Sequence, residues 1–397
     1  MSRLAVHGET PVRDSMLPYG QQWIEEDDIA QVVRVLQSDY LTQGPVIQEF
    51  EKKVASYVSA KYAVAFCNGT AALHAACYAA GIGADDEVIT TPLTFVASSN
   101  CVLYQGGKPV FADIDRRTYN IDPEQIEAKI TSRTKALIPV DFTGQPTDME
   151  KINAIARKFG LVVIEDAAHS LGARYQGSKV GAMADMTMFS FHPVKHITTG
   201  EGGVIVTDNE EYYQSMLLFR SHGITRDPKK LIDHQGPWYY EMHTLGYNYR
   251  MTDLQASLGL SQLNKLEMFL VRRREIAQLY NEAFEVMAGV DTPFQQPDAV
   301  SAWHLYILKL DPTQLRGSRK EIFEALRAEN IGVNVHYIPV YLQPYYQELG
   351  YKRGSCPNAE DVYEQLITLP LYPKMTYSDV NDVIVAVDRV LEYYRLR

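Results

Sequence analysis

The spacing of apolar residues predicts a helix close to the start of the chain. Four apolar positions share one helical face at the i, i+3, i+4 and i+7 spacing: Ile29, Val32, Val33 and Leu36. Such a face normally packs on a core, so we expect it to be buried. After a Gly-Pro break the pattern resumes through Phe50, Val54 and Val58.

Beyond residue 60 the pattern changes to short apolar runs that alternate with helical segments. The runs predict strands at residues 62–66, 87–90, 109–113, 136–140, 161–165, 188–191 and 203–207. An Ala-rich helix over 70–80 and a helix through Ile152, Ile155 and Phe159 lie between strands. Because strands that are apolar throughout need cover on both faces, we expect a mostly parallel α/β sheet of about seven strands.

The last third of the chain predicts a smaller α/β unit. Thr252 and Gln255 form a capping box, and one long helix should continue from it through Leu270. Further elements are a strand over 303–310, a helix over 320–328, a strand over 332–337 and a final amphipathic helix over 380–391. We therefore divide the chain into an N-terminal segment with a large domain, residues 1–255, and a linking helix with a small C-terminal domain, residues 256–397.

Composition limits the function classes. The chain has 397 residues, 46% of them hydrophobic and 22% charged, and a chain of this size buries a sizeable core without staples. Its four cysteines show no paired or metal-ligand spacing, so we expect reduced thiols and no metal site. Neither a secretory signal nor an apolar run long enough to span a membrane is evident, which favours the cytoplasm. A net charge of −11 argues against nucleic-acid binding.

Three candidate functional segments follow predicted strands, at the positions where open α/β sheets bind ligands. The first is Asn68-Gly69-Thr70-Ala71, which opens the Ala-rich helix. The free N–H groups of a helix start and the positive end of its dipole suit a phosphate group. A simple helix cap explains these residues at least as well, so alone they do not identify a ligand.

The second segment ends an apolar strand with Glu165 and Asp166 and continues to His169. A buried carboxylate is costly unless it is paired. Binding of Mg²⁺ is one interpretation, but the chain lacks the GxxxxGK[ST] motif that would accompany it. Pairing with a protonated ring nitrogen is the other interpretation.

The third segment places Lys195 between an apolar strand and a Gly-rich turn. Such a lysine is either exposed in a loop or desolvated, and a desolvated lysine readily forms Schiff bases. A phosphate site, a carboxylate for a pyridinium nitrogen and a Schiff-base lysine together are the set that pyridoxal phosphate requires. The combination predicts that Lys195 binds this cofactor and that Asp166 pairs with its ring nitrogen.

Over nearly its whole length the chain resembles the DegT/DnrJ/EryC1/StrS family of sugar aminotransferases, which have fold type I of the pyridoxal-phosphate enzymes. The resemblance rests above all on the run SFHPVKHITTGEGG at residues 190–203. It implies an enzyme that uses L-glutamate and a nucleotide-linked keto-sugar and acts as a homodimer with shared active sites. Some members carry histidine in place of the lysine and dehydrate their substrate, so the presence of Lys195 favours transamination.

The resemblance also implies roles at matching positions. Lys195 and Asp166 would be the catalytic residues. The other cofactor contacts would be Gly69, Thr70, Ala71 and Ser190 at the phosphate, Phe95 on the ring face, His169 near the ring hydroxyl, and Asn248 at the phosphate of the neighbouring subunit. The residues implied at the substrate are Thr42, Tyr249, His304, His336 and Tyr337.

A finer resemblance points to the members of this family that act in pseudaminic-acid synthesis. It is carried by LTQG at 41–44, LFRSHG at 218–223, HLY at 304–306 and VHYIPVY at 335–341. The acceptor would be UDP-2-acetamido-2,6-dideoxy-β-L-arabino-hexos-4-ulose, and the product UDP-4-amino-4,6-dideoxy-N-acetyl-β-L-altrosamine. Another keto-sugar, such as the D-xylo epimer, is the alternative, and the C-terminal histidines and tyrosines also fit ordinary packing between domains.

Three other functions fit part of the pattern. A non-catalytic regulator that binds pyridoxal phosphate is disfavoured because no DNA-binding module or basic patch accompanies the motifs. A dinucleotide-binding enzyme is disfavoured because Gly81-Ile-Gly83 lacks a third glycine and follows a helix. A decarboxylase or an aldolase on the same fold stays open on analogy alone.

Overall fold

Short strands and longer helices alternate along most of the chain. The computed structural model describes residues 4–396. The strands of this part are β1 Tyr62–Phe66, β2 Glu87–Thr90, β3 Lys108–Phe111, β4 Thr134–Ile138, β5 Val162–Asp166, β6 Arg174–Tyr175, β7 Ser178–Lys179, β8 Met186–Ser190, β9 Gly203–Thr207, β10 Ile224–Thr225, β11 Glu241–Met242, β12 Val290–Asp291, β13 Ala299–Val300, β14 Tyr306–Leu310 and β15 Leu366–Leu369.

The helices lie between these strands and at both ends of the chain. Within the same residues they are α1 Glu26–Leu36, α2 Pro45–Val58, α3 Gly69–Ala79, α4 Ala97–Tyr104, α5 Pro123–Glu127, α6 Met149–Phe159, α7 Glu210–Phe219, α8 Asp253–Leu263, α9 Leu266–Phe284, α10 Arg319–Ala328, α11 Pro344–Glu348, α12 Pro357–Tyr363 and α13 Tyr377–Tyr394. None of these helices combines the length and the apolar character that a bilayer crossing demands.

A seven-stranded sheet in the order β1-β9-β8-β5-β4-β2-β3 forms the centre of the large domain. Strand β9 is antiparallel to both of its neighbours, and the remaining strands run parallel to one another. The predicted mostly parallel α/β sheet is therefore confirmed. Each of its strands lies within two residues of the bounds expected from the sequence.

Helices cover both faces of this sheet. Ala63 and Ala65 of β1 belong to a buried cluster with residues of α2, α8 and α9. Val64 and Phe66 of the same strand belong to another cluster, which contains residues of α3, α4 and α7. Because successive side chains of a strand point to opposite faces, an apolar strand such as β1 can pack on both helical layers at once.

The hairpin between β8 and β9 presents the candidate lysine at an edge of the sheet. Ser190 pairs with Gly203, and this pair is the last one before residues 191–202 leave the sheet. These residues form a loop beyond the carboxyl end of β8. Lys195 is thus placed at the edge where the parallel strands β1 and β5 also end.

A smaller three-stranded antiparallel sheet, β12-β14-β15, lies in the C-terminal part. Residues of α9, α10 and α13 pack around it in one buried cluster, which Leu4 and Leu17 join from the start of the chain. Leu17 also makes a bridge with Ile331. The division into domains at residue 255 stays a prediction, and the N-terminal segment contacts the C-terminal unit.

The predicted buried face of α1 is wrong for the single chain. Ile29 and Leu36 are 48% and 56% exposed, and Val33 is exposed as well. The helix is held instead through Asp28, whose carboxylate accepts hydrogen bonds from side chains of α8 and the α8–α9 junction. These hydrogen bonds hold α1 by its polar side. The apolar stripe of Ile29, Val33 and Leu36 on its other side stays exposed.

Two further elements differ from the prediction. The long helix after Thr252 is divided into α8 and α9 at Lys265, whose ammonium forms ion pairs with Glu25, Asp27 and Asp28. The predicted strand over 332–337 is extended but pairs at one position, where Asn334 bridges Thr368. The capping box at the start of α8 is confirmed.

Candidate active site

The three candidate segments meet at the carboxyl ends of adjacent strands. The N–H of Ala167 donates to Met188 O at 2.9 Å, so the segment after β5 follows β8 closely. A Cβ added to Gly69 would lie 3.4 Å from Ser190 Cβ, which places the start of α3 against the end of β8. Residues that are far apart in the sequence thus share one edge of the sheet, as expected for a ligand site in an open α/β sheet.

The start of α3 forms a cradle with room for an anion. Asn68 caps the helix through its Oδ1, which accepts the N–H of Ala71 at 2.8 Å. Gly69 and Thr70 begin the helix, so their N–H groups have no intrahelical acceptor. Gly203 passes beneath this turn, and an added Cβ would lie 2.7 Å from Asn68 O and from Gly69 N. The glycine therefore keeps the cradle open where any side chain would push against it.

Asp166 is buried at the end of β5 and is bound by neutral donors. Ser98 Oγ donates to its Oδ2 at 2.6 Å, and the N–H of Ala168 donates to its Oδ1 at 3.2 Å. No ion pair among the described residues involves this carboxylate. Burial raises its pKa, while the Ser98 and Ala168 hydrogen bonds and the charge of Lys195 lower it. The site thus holds a carboxylate that a further cation would stabilise.

Lys195 has an amine that loses its proton more readily than that of an ordinary lysine. The side chain is partly exposed, yet the surrounding protein atoms desolvate its amine and lower its pKa to about 8. The charge of Asp166 opposes this shift, and the guanidinium of Arg273 adds to it. An amine with a pKa near neutrality is nucleophilic and can also move a proton.

The charge of Lys195 acts on four buried histidines, and a tyrosine contacts one of them. They are His169, His196, His304, His336 and Tyr337. Burial lowers the pKa of each imidazole, and the positive charge of Lys195 acts in the same direction. We therefore treat all four rings as neutral near pH 7.

Within this cluster, His169 and His304 have unpaired nitrogens. Tyr337 Oη lies 3.3 Å from His169 Nε2, whereas His169 Nδ1 is buried and has no hydrogen-bond partner among the described residues. The ring of His304 lies 4.4 Å from that of His169, between centroids, and its Nδ1 is also buried without a partner in that part of the chain. Buried polar atoms of this kind normally bind something, so both nitrogens are candidate ligand contacts.

A glycine permits the close approach that brings His304 to His169. Gly144 has φ +106°, and a Cβ added to it would lie 2.8 Å from His169 O and 2.9 Å from His304 N. The N–H of Ala302 donates to Gly144 O at 2.9 Å, which joins the C-terminal segment to this turn. The substrate contacts expected of His304, His336 and Tyr337 therefore lie at the same site as Lys195.

Phe95 lies at the open side of the site. It is 57% exposed, and its ring centroid is 6.3 Å from that of Tyr337. The segment that carries it continues into α4, where Ser98 binds Asp166. An exposed aromatic ring next to a buried carboxylate is suited to stack on a planar ligand that the carboxylate binds.

Thr42, Asn248 and Tyr249 make no hydrogen bond to the histidine cluster within the described residues, although the O of Tyr249 accepts the N–H of Cys67 beside the cradle. Thr42 bridges Thr252, and Asn248 is exposed and bridges Ser221. Tyr249 packs against His74, with its Oη 3.2 Å from His74 Nδ1. Among the described residues no hydrogen bond joins these three to Lys195 or Asp166. Their expected roles at the cofactor and the substrate remain predictions.

Two residues of the site were not predicted from the sequence. Ser98 is one serine in a mixed polar run, and nothing in that run distinguishes it. Arg273 lies in a polar stretch of α9, RRRE, that is typical of an exposed face, yet it is 1% exposed. A repeating apolar pattern that places Arg273 between Phe269, Leu270 and Ile276 is the signal that could have identified it.

The residues present fit pyridoxal phosphate. The cradle at Gly69 suits its phosphate, and Asp166 lacks a cation that the protonated ring nitrogen would supply. Lys195 offers an amine that is uncharged in part near pH 8. His169 Nδ1 is buried and unpaired, as expected of a group that contacts a ligand. Together the fold and these residues define an enzyme that uses pyridoxal phosphate on a type I fold.

Comparisons with known proteins specify the class further. The chain belongs to the DegT/DnrJ/EryC1/StrS aminotransferase family, whose model matches residues 22–388. The spore coat polysaccharide biosynthesis protein SpsC of Bacillus subtilis is 46% identical over 96% of this chain and 98% of its own. The chain is thus a sugar aminotransferase with pyridoxal phosphate as its cofactor.

Two solved structures share the fold over almost the whole chain. Helicobacter pylori PseC, an aminotransferase involved in the biosynthesis of pseudoaminic acid, is 33% identical with a TM-score of 0.89, covering 96% of this chain and 100% of its own. The pyridoxal-phosphate form of a putative sugar aminotransferase, Spr1654 of Streptococcus pneumoniae, is 32% identical with a TM-score of 0.89, covering 95% and 99%. The predicted type I fold, the cofactor and the family are confirmed.

Proposed function

We propose that this enzyme transfers the amino group of L-glutamate to C4 of a nucleotide-linked 4-keto-sugar. The observation that carries the proposal is that a buried Asp166 carboxylate without an ion pair and a desolvated Lys195 amine lie at the same edge of the sheet. Pyridoxal phosphate, when bound, supplies an electron sink that stabilises negative charge on the carbon next to the amino group. The protein then has to orient the substrates, exclude water and move one proton.

In this proposal the residues of the chain divide the work. Lys195 would take the α-proton from the amino donor and return it to the cofactor carbon that carries the amino nitrogen, as general base and then general acid. Asp166 holds a proton on the ring nitrogen by its charge. Of the predicted phosphate contacts, Gly69, Thr70 and Ser190 would bind the phosphate, whereas the N–H of Ala71 donates to Asn68 Oδ1 instead. Phe95 would fix the plane of the ring. The same residues act in reverse when the keto-sugar accepts the amino group, and we expect ping-pong kinetics.

For the acceptor we propose UDP-2-acetamido-2,6-dideoxy-β-L-arabino-hexos-4-ulose. The likeness to PseC supports this choice, and the motifs at 41–44, 218–223, 304–306 and 335–341 carry the same resemblance. The chain is more identical to SpsC, a protein of spore coat polysaccharide biosynthesis whose name specifies no acceptor. The D-xylo epimer is therefore the alternative acceptor. The free thiols of all four cysteines suit a reducing compartment, and we place the reaction in the cytoplasm.

A competition assay tests the acceptor. Purified enzyme, L-glutamate and both epimers are mixed in equal amounts, and the 4-amino products are separated and identified by mass. We expect the arabino product to dominate because the chain resembles PseC over almost its whole length. Dominance of the xylo product would overturn the acceptor and leave the mechanism intact. Absence of both products from enzyme with bound cofactor would favour a different keto-sugar or the non-catalytic regulator.

We further propose that two copies of the chain share their active sites. Asn248 is exposed, as expected if it serves the neighbouring subunit. The uncovered stripe of Ile29, Val33 and Leu36 on α1 is an apolar surface of the kind that packs in a dimer.

Mixing two inactive variants tests this arrangement. Lys195→Ala and Asn248→Ala chains are unfolded together, refolded and assayed. If Asn248 serves the partner, each mixed dimer contains one intact site and one site with both changes, so activity should return to about a quarter of the wild-type value. Wild-type chains mixed with Lys195→Ala chains provide the control for refolding. If Asn248 serves its own chain, no mixed site is intact and activity will not return.

A further inference from the structure

The loop that carries Lys195 is closed by hydrogen bonds within its own hairpin. The N–H of Phe191 donates to Gly202 O at 2.9 Å, and the N–H of Thr199 donates to Phe191 O at 3.0 Å. Inside the loop the N–H of Lys195 donates to His192 O at 2.9 Å. These bonds shape the loop, but none of them joins it to another segment of the chain.

One side chain joins the middle of this loop, residues 192–198, to a distant segment. His196 is 3% exposed, and its Nε2 lies 3.1 Å from Ala302 O. Because a carbonyl oxygen only accepts, Nε2 carries the proton and donates it to this bond. Within residues 4–396 no other hydrogen bond from residues 192–198 leaves the β8–β9 hairpin.

Ala302 belongs to a segment that is itself held in place at the site. Its N–H donates to Gly144 O at 2.9 Å. Two residues further on, His304 O accepts a hydrogen bond from Arg273 Nη1 at 3.2 Å. The ring of the same histidine lies 4.4 Å from that of His169, between centroids. A group that binds Ala302 O is therefore tied to a segment whose position is set on two sides.

Packing at this contact does not fix the loop in the way that the hydrogen bond does. Ile197 and Ala302 belong to one buried apolar cluster, but apolar contacts have no preferred direction. A hydrogen bond sets both a distance and an angle. Since Lys195 directly precedes His196 in the chain, a fixed His196 also fixes the point from which the lysine side chain extends.

We propose that His196 is a positioning residue for Lys195: its hydrogen bond to Ala302 O ties the lysine loop to the segment that carries His304. The inference rests on the proposed function, because it explains how the group that moves the α-proton is held in place. A displacement of about 1 Å in such a group can lower a rate by as much as ~10²-fold. The contact itself is a property of the cofactor-free protein and can be measured there.

A matched pair of variants tests the role. In His196→Gln the amide nitrogen reaches the place of Nε2 and can donate to Ala302 O, whereas in His196→Asn it reaches only the place of Nδ1. Stopped-flow absorbance of the half-reaction with L-glutamate gives the maximum rate and the apparent Kd separately. We expect the rate to fall about tenfold in His196→Asn and to stay within about twofold of wild type in His196→Gln, with Kd unchanged in both. Equal rates in the two variants, or a loss that appears in Kd alone, would overturn the proposal.

Hydrogen exchange measures the contact in cofactor-free protein. Peptides that cover residues 192–198 should exchange about fivefold faster in His196→Asn than in His196→Gln, which is the effect of one lost hydrogen bond. The same exchange in both variants would mean that the bond does not hold the loop.

A measurement on the wild type keeps the test decisive if the variants do not fold. In cofactor-free protein labelled with ¹⁵N at histidine, long-range ¹⁵N–¹H correlations show which ring nitrogen of His196 carries a proton. We expect a slowly exchanging proton on Nε2, and an Nε2 without a proton would contradict the proposal. If the proposed function fails instead, wild-type enzyme will not react with L-glutamate, while the exchange and NMR results stay as expected.

Discussion

Replacement of Lys195 by alanine is expected to abolish multiple turnover. The variant should lose at least about 10⁴-fold in kcat, because one change removes both the nucleophile and the group that moves the α-proton. The surrounding histidines are neutral but none replaces a primary amine, and the cradle at Gly69 is untouched. We therefore expect the variant to bind the cofactor reversibly and to fold normally. The measurement is release of 2-oxoglutarate from L-glutamate in the presence of the keto-sugar.

The control for this change is another lysine outside the site. Lys179 is partly buried and donates to Tyr57 O at 2.8 Å, so Lys179→Ala removes a lysine of similar setting without touching the catalytic edge. Its kcat should stay within a factor of about two of the wild type. Multiple turnover by Lys195→Ala at a rate near that of this control would show that Lys195 does not have the assigned role.

The second large effect is expected from Asp166→Asn. An asparagine retains an oxygen acceptor for Ser98 but has no charge, so it cannot hold the proton on the ring nitrogen. We expect the cofactor to bind more weakly and kcat to fall by about 10³-fold. Stopped-flow absorbance of the half-reaction with L-glutamate measures the loss directly. A half-reaction at the wild-type rate would mean that Asp166 does not contact the ring nitrogen.

Although Asp166→Asn should lower kcat, we expect it to raise the free energy of unfolding of the cofactor-free protein. Because the folded pKa of Asp166 is raised above its unfolded value, ionisation costs the folded state stability as pH rises through that interval. Asp166→Asn removes this cost, so cofactor-free variant should be the more stable protein at pH 7 in urea. Asp113→Asn is the control, since Asp113 is buried but accepts backbone N–H groups from Asn358 and Ala359 outside the site. That variant should lose stability and keep its half-reaction rate.

The positions of Asp166 and Lys195 could be predicted from the sequence because each depends on the pattern of the residues next to it. An apolar strand that ends in Asp166 predicts the strand and the position of the carboxylate together. Lys195 lies in a run that joins two predicted strands, so the hairpin places it at the same edge. In both cases the information is contained within a few neighbouring residues.

The exposed stripe of α1, the burial of Arg273 and the bend between α8 and α9 depend on contacts between residues far apart in the sequence, which a local pattern of residues does not show. The stripe of α1 follows the spacing of a buried face, yet it is exposed because Lys265 and Gln262 anchor the helix through Asp28. The sequence around Arg273 is typical of an exposed helix face. In the structure its guanidinium is buried and binds carbonyls of a segment about thirty positions away. The bend that separates α8 from α9 likewise reflects an ion pair across more than two hundred residues.

The most direct test of the account is transfer of isotope from the amino donor. L-Glutamate labelled with ¹⁵N is incubated with the enzyme, pyridoxal phosphate and the arabino keto-sugar, and the sugar product is examined by mass. The account predicts a 4-amino sugar that carries the label when Lys195 is present, and none when it is replaced by alanine. An unlabelled amino sugar, or labelled product formed equally by the Lys195→Ala variant, would contradict it.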